Sequence, residues 1–171
     1  MILDNLPDIL NMVIRRVENF LRAFEKKFSS KMTTRLRLSP GDCLETFSFP
    51  SSNPFESFVE LESAGKKYHL ARKNILLDRQ IGLTASYNLF HDPKCIDSDI
   101  KVLRDLQLEM DHKVAEAYGW SDLDLSREWQ DSESYVGEKR WALPQSVSDE
   151  VIDRLYELNQ QRYKEEQENH Q

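Results

Sequence analysis

Glycine and proline are scarce in this chain, at 5 and 6 of 171 residues. The glycines, at 41, 65, 82, 119 and 137, are isolated from one another. That excludes a glycine-rich loop whose backbone approaches a phosphate or a methyl donor. Two cysteines, Cys43 and Cys95, cannot make a disulfide framework. No run of about 20 apolar residues occurs, so no membrane span and no membrane partner are expected. Asp4 and Asp8 precede the first basic residue, unlike the basic start of a secretory signal. The expectation is an intracellular, cytoplasmic protein.

A general excess of positive charge is missing too. The formal net charge is −7. Residues 1–80 hold 13 basic against 10 acidic side chains, a balance of +3, and residues 81–171 hold 10 against 20, a balance of −10. The first forty residues are the most basic stretch, with 8 against 4. A general polyanion binder carries the opposite balance, so any contact with nucleic acid must be local.

What is present is helical periodicity. Residues 8–28, DILNMVIRRVENFLRAFEKKF, place Ile9, Met12, Val13, Val17, Phe20, Leu21, Phe24 and Phe28 at three- and four-residue steps. This predicts an amphipathic helix whose apolar face must be covered, by a partner surface or in a homodimer. A second helix is expected over 56–80, with Leu61, Ala64, Tyr68, Ala71 and Ile75 on one face. A third, over 98–118, carries Ile100, Leu103, Met110, Val114 and Ala117, with Gln107 in the remaining slot. Asp97 or Ser98 stands where a cap is needed, and Gly119 where the helix can end. Ser146 and Asp149 have the spacing of a capping box before a last helix lined by Val147, Val151, Leu155 and Leu158.

Between these lie shorter signals. Arg35–Leu38 alternates as a strand does, Ser39-Pro40-Gly41-Asp42 is a turn, and Thr46–Phe49 is a second short strand. Val136-Gly137-Glu138 is the turn of a small hairpin with Trp141 and Leu143 inward. The fold class is therefore mainly α: a helical bundle-like domain with a short β segment at 33–50 and a small β-hairpin at 133–143. The chain divides into an amphipathic helix (1–28), a β and linker segment (29–60), a helical domain (61–166) and a frayed tail (167–171).

Catalytic and metal motifs are thin. Asn53-Pro54-Phe55 is similar to the Asn-Pro-Pro-aromatic motif with which amino-group methyltransferases hold a flipped base, but the second proline is absent and no donor loop precedes it. A linker turn accounts for it. His91, Asp92 and Cys95, with His69 or His112, do not make a ligand set of the spacing zinc requires. Neither cysteine carries a nucleophile signature. Trp120, Trp129 and Trp141 are expected as core anchors. No catalytic residue, metal or cofactor is assigned to the chain.

The segment GLTASYNLFHDP, residues 82–93, is too specific for a spacer. Together with its flanks it resembles a known family. SSKMTTRLRLSPGDCLETFSFP (29–50), RQIGLTASYNLFHDP (79–93), LRDLQLEMDHKVAEAYGWSDLDL (103–125) and VIDRLYELNQQRYKEE (151–166) are similar, in order, to the C-terminal region of large adenine-specific DNA methyltransferases. These are the single-chain type IIG and MmeI-like type IIL restriction–modification enzymes and related phage-defence methylases of prokaryotes.

The resemblance implies a mostly helical tail, following the target-recognition domain, that helps clamp DNA. In the family, the endonuclease, the S-adenosylmethionine site and the catalytic motif lie nearer the N-terminus. The chain departs from the family at Phe47-Ser48-Phe49-Pro50, where Phe-Pro-Phe-Pro is usual, and at Ala85, where Lys is common.

The function expected is thus a non-catalytic C-terminal fragment or subunit of a DNA adenine methyltransferase, supporting recognition of double-stranded DNA beside a catalytic chain. The DNA-contact candidates are Lys31, Arg35 and Arg37, then Thr84, Tyr87, Asn88 and His91 of the central segment. Two readings of that segment stand side by side: an ordered connection in which Asn88 and Asp92 cap backbone groups and Tyr87 packs, or a surface for DNA phosphate or the recognition domain. The alternative for the whole chain is a self-associating interaction module with no DNA contact, dimerising through helix 8–28.

Overall fold

The computed structural model describes residues 31–32, 35–36, 48–51, 58–131 and 138–169. The helix expected over 8–28, the turn at 39–42, Arg37 and the Asn53-Pro54-Phe55 motif lie outside the described residues. The chain forms two compact units, one of residues 1–56 with 145–171 and one of residues 57–144.

In the first unit, strands β1 (Lys31–Met32) and β2 (Arg35–Leu36) pair antiparallel, Lys31 opposite Leu36 and Met32 opposite Arg35. The short β segment expected here therefore starts two residues earlier than 33. Ser48 and Phe49, the described part of the second expected strand, have no strand structure. The next residue, Pro50, has no N–H to donate to a ladder.

The last helix, α4 (Gln145–Asn169), belongs to this unit. Val151 and Leu155 of the expected face are buried, and so is Ile152. One expectation fails. The capping box does not form, because the helix already includes Gln145, whose Nε2 donates to Asp149 Oδ1 at 3.0 Å. The helix extends to Asn169. Pairs such as Glu150–Arg154 and Gln161–Glu165, at four-residue spacing, support an exposed helix of this polarity. Arg162 Nη2 donates to Pro50 O at 3.2 Å.

The second unit is built on α1 (Val59–Asp78) and α3 (Ser98–Tyr118). Both follow their predicted periodicity. Leu61, Ala64 and Ile75 are buried on α1, and Ile100, Leu103, Gln107, Met110 and Val114 on α3, with Gln107 in the core-facing slot. The helices run antiparallel. Arg79, just past α1, pairs with Asp97 and Asp99 at the start of α3; Lys67 pairs with Glu109; Lys113 reaches back to Glu60. Asp97 holds the position before α3, yet its side chain bonds Arg79 and not the helix backbone.

Helix α2 (Leu83–Phe90) lies between them. The sequence reading takes residues 82–93 as a connection; eight of them are a helix. Its inward positions are Ser86 and Phe90. A serine, 3% exposed, in a core-facing slot hides the apolar period from a hydropathy reading. The core gathers Ile75, Phe90, Cys95, Ile100 and Leu103, with Tyr68, Ala71, Ile81, Leu89 and Trp141 packed against it.

The hairpin is present as strands β3 (Glu128–Asp131) and β4 (Lys139–Ala142), with Trp129 opposite Trp141. Its first strand lies earlier than the sequence reading placed it. Trp141 packs on the core as expected. Trp120 instead stacks on Tyr118, centroids 4.5 Å apart, and Trp129 lies under the Arg104 guanidinium at 5.1 Å.

Candidate nucleic-acid interface

The C-terminal end of α2 is held by one side chain. Carbonyls at the end of a helix have no partner within it. Arg104, from α3, donates to the carbonyls of Leu89, Phe90, Asp92 and Cys95 at 3.2, 3.0, 2.9 and 2.9 Å. Capping of this end therefore falls to Arg104, and Asn88 stays exposed. Asp92 does take its expected role, its Oδ1 accepting from Lys94 N–H at 2.8 Å. Nothing in the sequence near Arg104 marks this role, because the four carbonyls lie 9 to 15 residues away.

The hairpin closes over the same end. His91 Nδ1 accepts the Trp141 backbone N–H at 3.2 Å. The His91 ring meets Tyr87 edge-on at 4.4 Å and Phe90 at 5.0 Å, and Phe90 meets Trp141 at 5.6 Å. Behind Trp141, Arg127 lies over its ring at 5.3 Å and pairs with Asp111. These two side chains are 5% and 3% exposed. Arg127 Nε donates to Asp111 Oδ2 at 3.0 Å, and Gln107 Nε2 donates to Oδ1 at 3.0 Å. Both carboxylate oxygens are thereby satisfied, which a buried charge requires.

With α2 so fixed, Thr84, Tyr87, Asn88 and His91 fall at helical steps of three, one and three, and so share one face. Thr84, Tyr87 and Asn88 are exposed and His91 is half-buried. The structure thus assembles all four candidates of the central segment on one face of a short helix. Arg140 of β4, which the sequence reading did not select, places its guanidinium over the Tyr87 ring at 5.0 Å. Strand pairing and the His91–Trp141 bond bring it there, and neither has a local sequence signal. Lys31 and Arg35 lie in the paired strands β1 and β2 of the other unit.

At the α1–α3 ends, the Arg79 hydrogen bond holds the Asp99 carboxyl below the usual carboxylate range, and Lys113 does the same for Glu60. The Ser126 hydrogen bonds lower Asp124. His69 and His112 are exposed on α1 and α3, and Cys95 is a buried free thiol. Among the described residues no three His, Cys, Asp or Glu side chains are placed to hold a metal ion. A shallow open depression of about 290 Å³ lies between Phe58–Leu61 and Lys113, Glu116 and Ala117. Its polar groups Glu60, Lys113 and Glu116 bond one another. Among the described residues no helix is long and apolar enough to cross a membrane. No family model, no curated protein and no solved structure matches the chain.

Proposed function

We propose that the chain is a non-catalytic subunit or C-terminal fragment of an adenine-specific DNA methyltransferase of the restriction–modification type. Its role would be to support recognition of double-stranded DNA. The observation that carries this reading is the α2 face. Thr84, Tyr87, Asn88 and His91 stand together on one side of a helix pinned by Arg104. Three of them are exposed, and all four fall in one of the two blocks whose resemblance is specific. Short neutral donors on a rigid element suit the phosphate contacts that set a protein's register on a duplex. The catalytic chain, with S-adenosylmethionine, would be a separate partner.

The test is purification of the tagged chain from its native host, with mass spectrometry of what accompanies it. Recovery of an adenine methyltransferase that lacks its own C-terminal region is the expected result. In that assembly, Thr84→Asp with Asn88→Asp weakens duplex binding by about tenfold, on the scale of losing one or two backbone contacts. Recovery of the chain alone sinks the subunit reading.

A second reading, a self-associating module, has its own observation. Leu77, Leu83, Ile96 and Val102 are each more than half exposed. They come from the end of α1, the start of α2, the approach to α3 and the start of α3 itself, the end where Arg79 meets Asp97 and Asp99. A concentration-dependent dimer in sedimentation that dissociates in Ile96→Glu would favour it.

A further inference from the structure

We propose that Arg140, stacked on Tyr87, is an oxyanion site for the phosphate of a nucleic-acid backbone. The assignment of DNA as the source of that phosphate rests on the reading of α2 above. Three of the arginines in this unit have their donors taken. Arg79 bonds Asp97 and Asp99, Arg104 bonds four carbonyls, and Arg127 bonds Asp111 and the Trp141 carbonyl. Arg140 differs. Among the described residues its guanidinium makes no hydrogen bond, and its ion pair with Glu138 is long, at 3.9 Å.

The side chain is nevertheless only 24% exposed. It has lost much of its water without gaining acceptors, the arrangement that penalises a polar group most. A guanidinium carries five N–H donors in a planar fork that matches two phosphate oxygens. Contact with the Tyr87 ring, 5.0 Å from its centroid, restricts the side chain, so less freedom is lost when an anion binds.

The surroundings select phosphate. Tyr87 shares the α2 face with the Thr84 hydroxyl and the Asn88 amide, neutral donors next to the cation. Glu138, 60% exposed, is a loose counter-ion that a bound anion can displace. In a half-chain whose balance is −10, a polyanion is repelled everywhere except where cations are held in place. Lys139, the neighbouring cation, is itself paired with Asp131 at 2.7 Å. Arg140 is the guanidinium that lies over the α2 face, where a backbone phosphate would meet it.

The experiment uses the full chain and a short labelled duplex, by anisotropy over a range of salt, with Arg140→Gln and Arg140→Lys. Thermal unfolding is first compared across the variants, and Arg140→Lys serves alone if Arg140→Gln fails to fold. The expected result is a loss of about tenfold in Arg140→Gln, with the slope of log affinity on log salt falling by about one, as for one lost phosphate contact. Arg140→Lys restores the slope and only part of the affinity, because an ammonium keeps the charge but not the fork.

Duplex binding that is unchanged in Arg140→Gln, yet weakened by Thr84→Asp with Asn88→Asp, overturns this inference and leaves the DNA reading standing. If the wild-type chain binds no duplex, titration with inorganic phosphate decides, read at the Arg140 Nε–Hε resonance. A saturable shift that is lost in Tyr87→Leu supports the oxyanion site with free phosphate as its source. No shift overturns it.

Discussion

Gly119 and Gln80 end their helices in the same left-handed backbone region, at φ 75° and 52°. Each completes the same pair of bonds. Gly119 N–H bonds Glu116 O and Trp120 N–H bonds Ala115 O; Gln80 N–H bonds Leu77 O and Ile81 N–H bonds Leu76 O. This satisfies carbonyls that the helix leaves open. A Cβ at Gly119 would meet nothing within 4 Å, so the effect of Gly119→Ala is purely conformational. It should destabilise by about 1–2 kcal/mol, the strain of an L-residue in that region. Gln80→Gly should leave the urea midpoint unchanged or raised, although glycine elsewhere in a helix loses about 0.5–1 kcal/mol. A lowered midpoint for Gln80→Gly would show that its Nε2 bond to Leu77 O, at 2.7 Å, outweighs the strain. Gly119 was legible as a helix end because glycine is the usual residue there. Gln80 was not, because its side chain carries no such preference.

Among the elements, the hairpin is joined to α3 through the buried Arg127–Asp111 pair. Removing one partner of such a pair leaves a charge without compensation and destabilises by about 3–5 kcal/mol. Arg127→Met or Asp111→Leu alone should lose that much in thermal or urea unfolding. The double variant should lose less than either single one, because no charge is left buried. Losses in the double variant that equal the sum of the singles would show the pair to be energetically independent. Neither Arg127 nor Asp111 stood out in the sequence, since carboxylates and arginines are common and only the hairpin's path brings these two together. The α3 period was legible even at Gln107, because six core-facing positions define a face that one polar residue cannot hide. The α2 period was not, because two inward positions, one of them Ser86, define none.

For the molecule as a whole, charge sets the response to acid. Asp99 and Glu60 pin opposite ends of the α1–α3 pair, and both titrate below their ordinary values of 3.8 and 4.5. A carboxyl depressed in the folded state contributes stability that is complete above its unfolded value and is lost as pH falls through the folded one. Stability should therefore hold down to about pH 4.5 and decline below it as these carboxylates take up protons. Asp99→Asn should start lower at neutral pH and show a shallower decline below about pH 4. An unchanged acid profile would remove Asp99 from the account. The effect is modest, since both pairs are partly exposed and screened.

The amino-acid order by itself determined the helical class, the limits of α3, the inward faces of α1 and α3, and the hairpin. Those features depend on neighbours within one or two turns, where apolar spacing and turn chemistry act directly. The tertiary structure alone decided that residues 83–90 form a helix, that Arg104 supplies its C-terminal bonds, and that Arg140 lies on Tyr87. Each of these joins residues from separate elements. Their partners are chosen by which surfaces pack, and packing is a property of the whole core and not of any local stretch of chain.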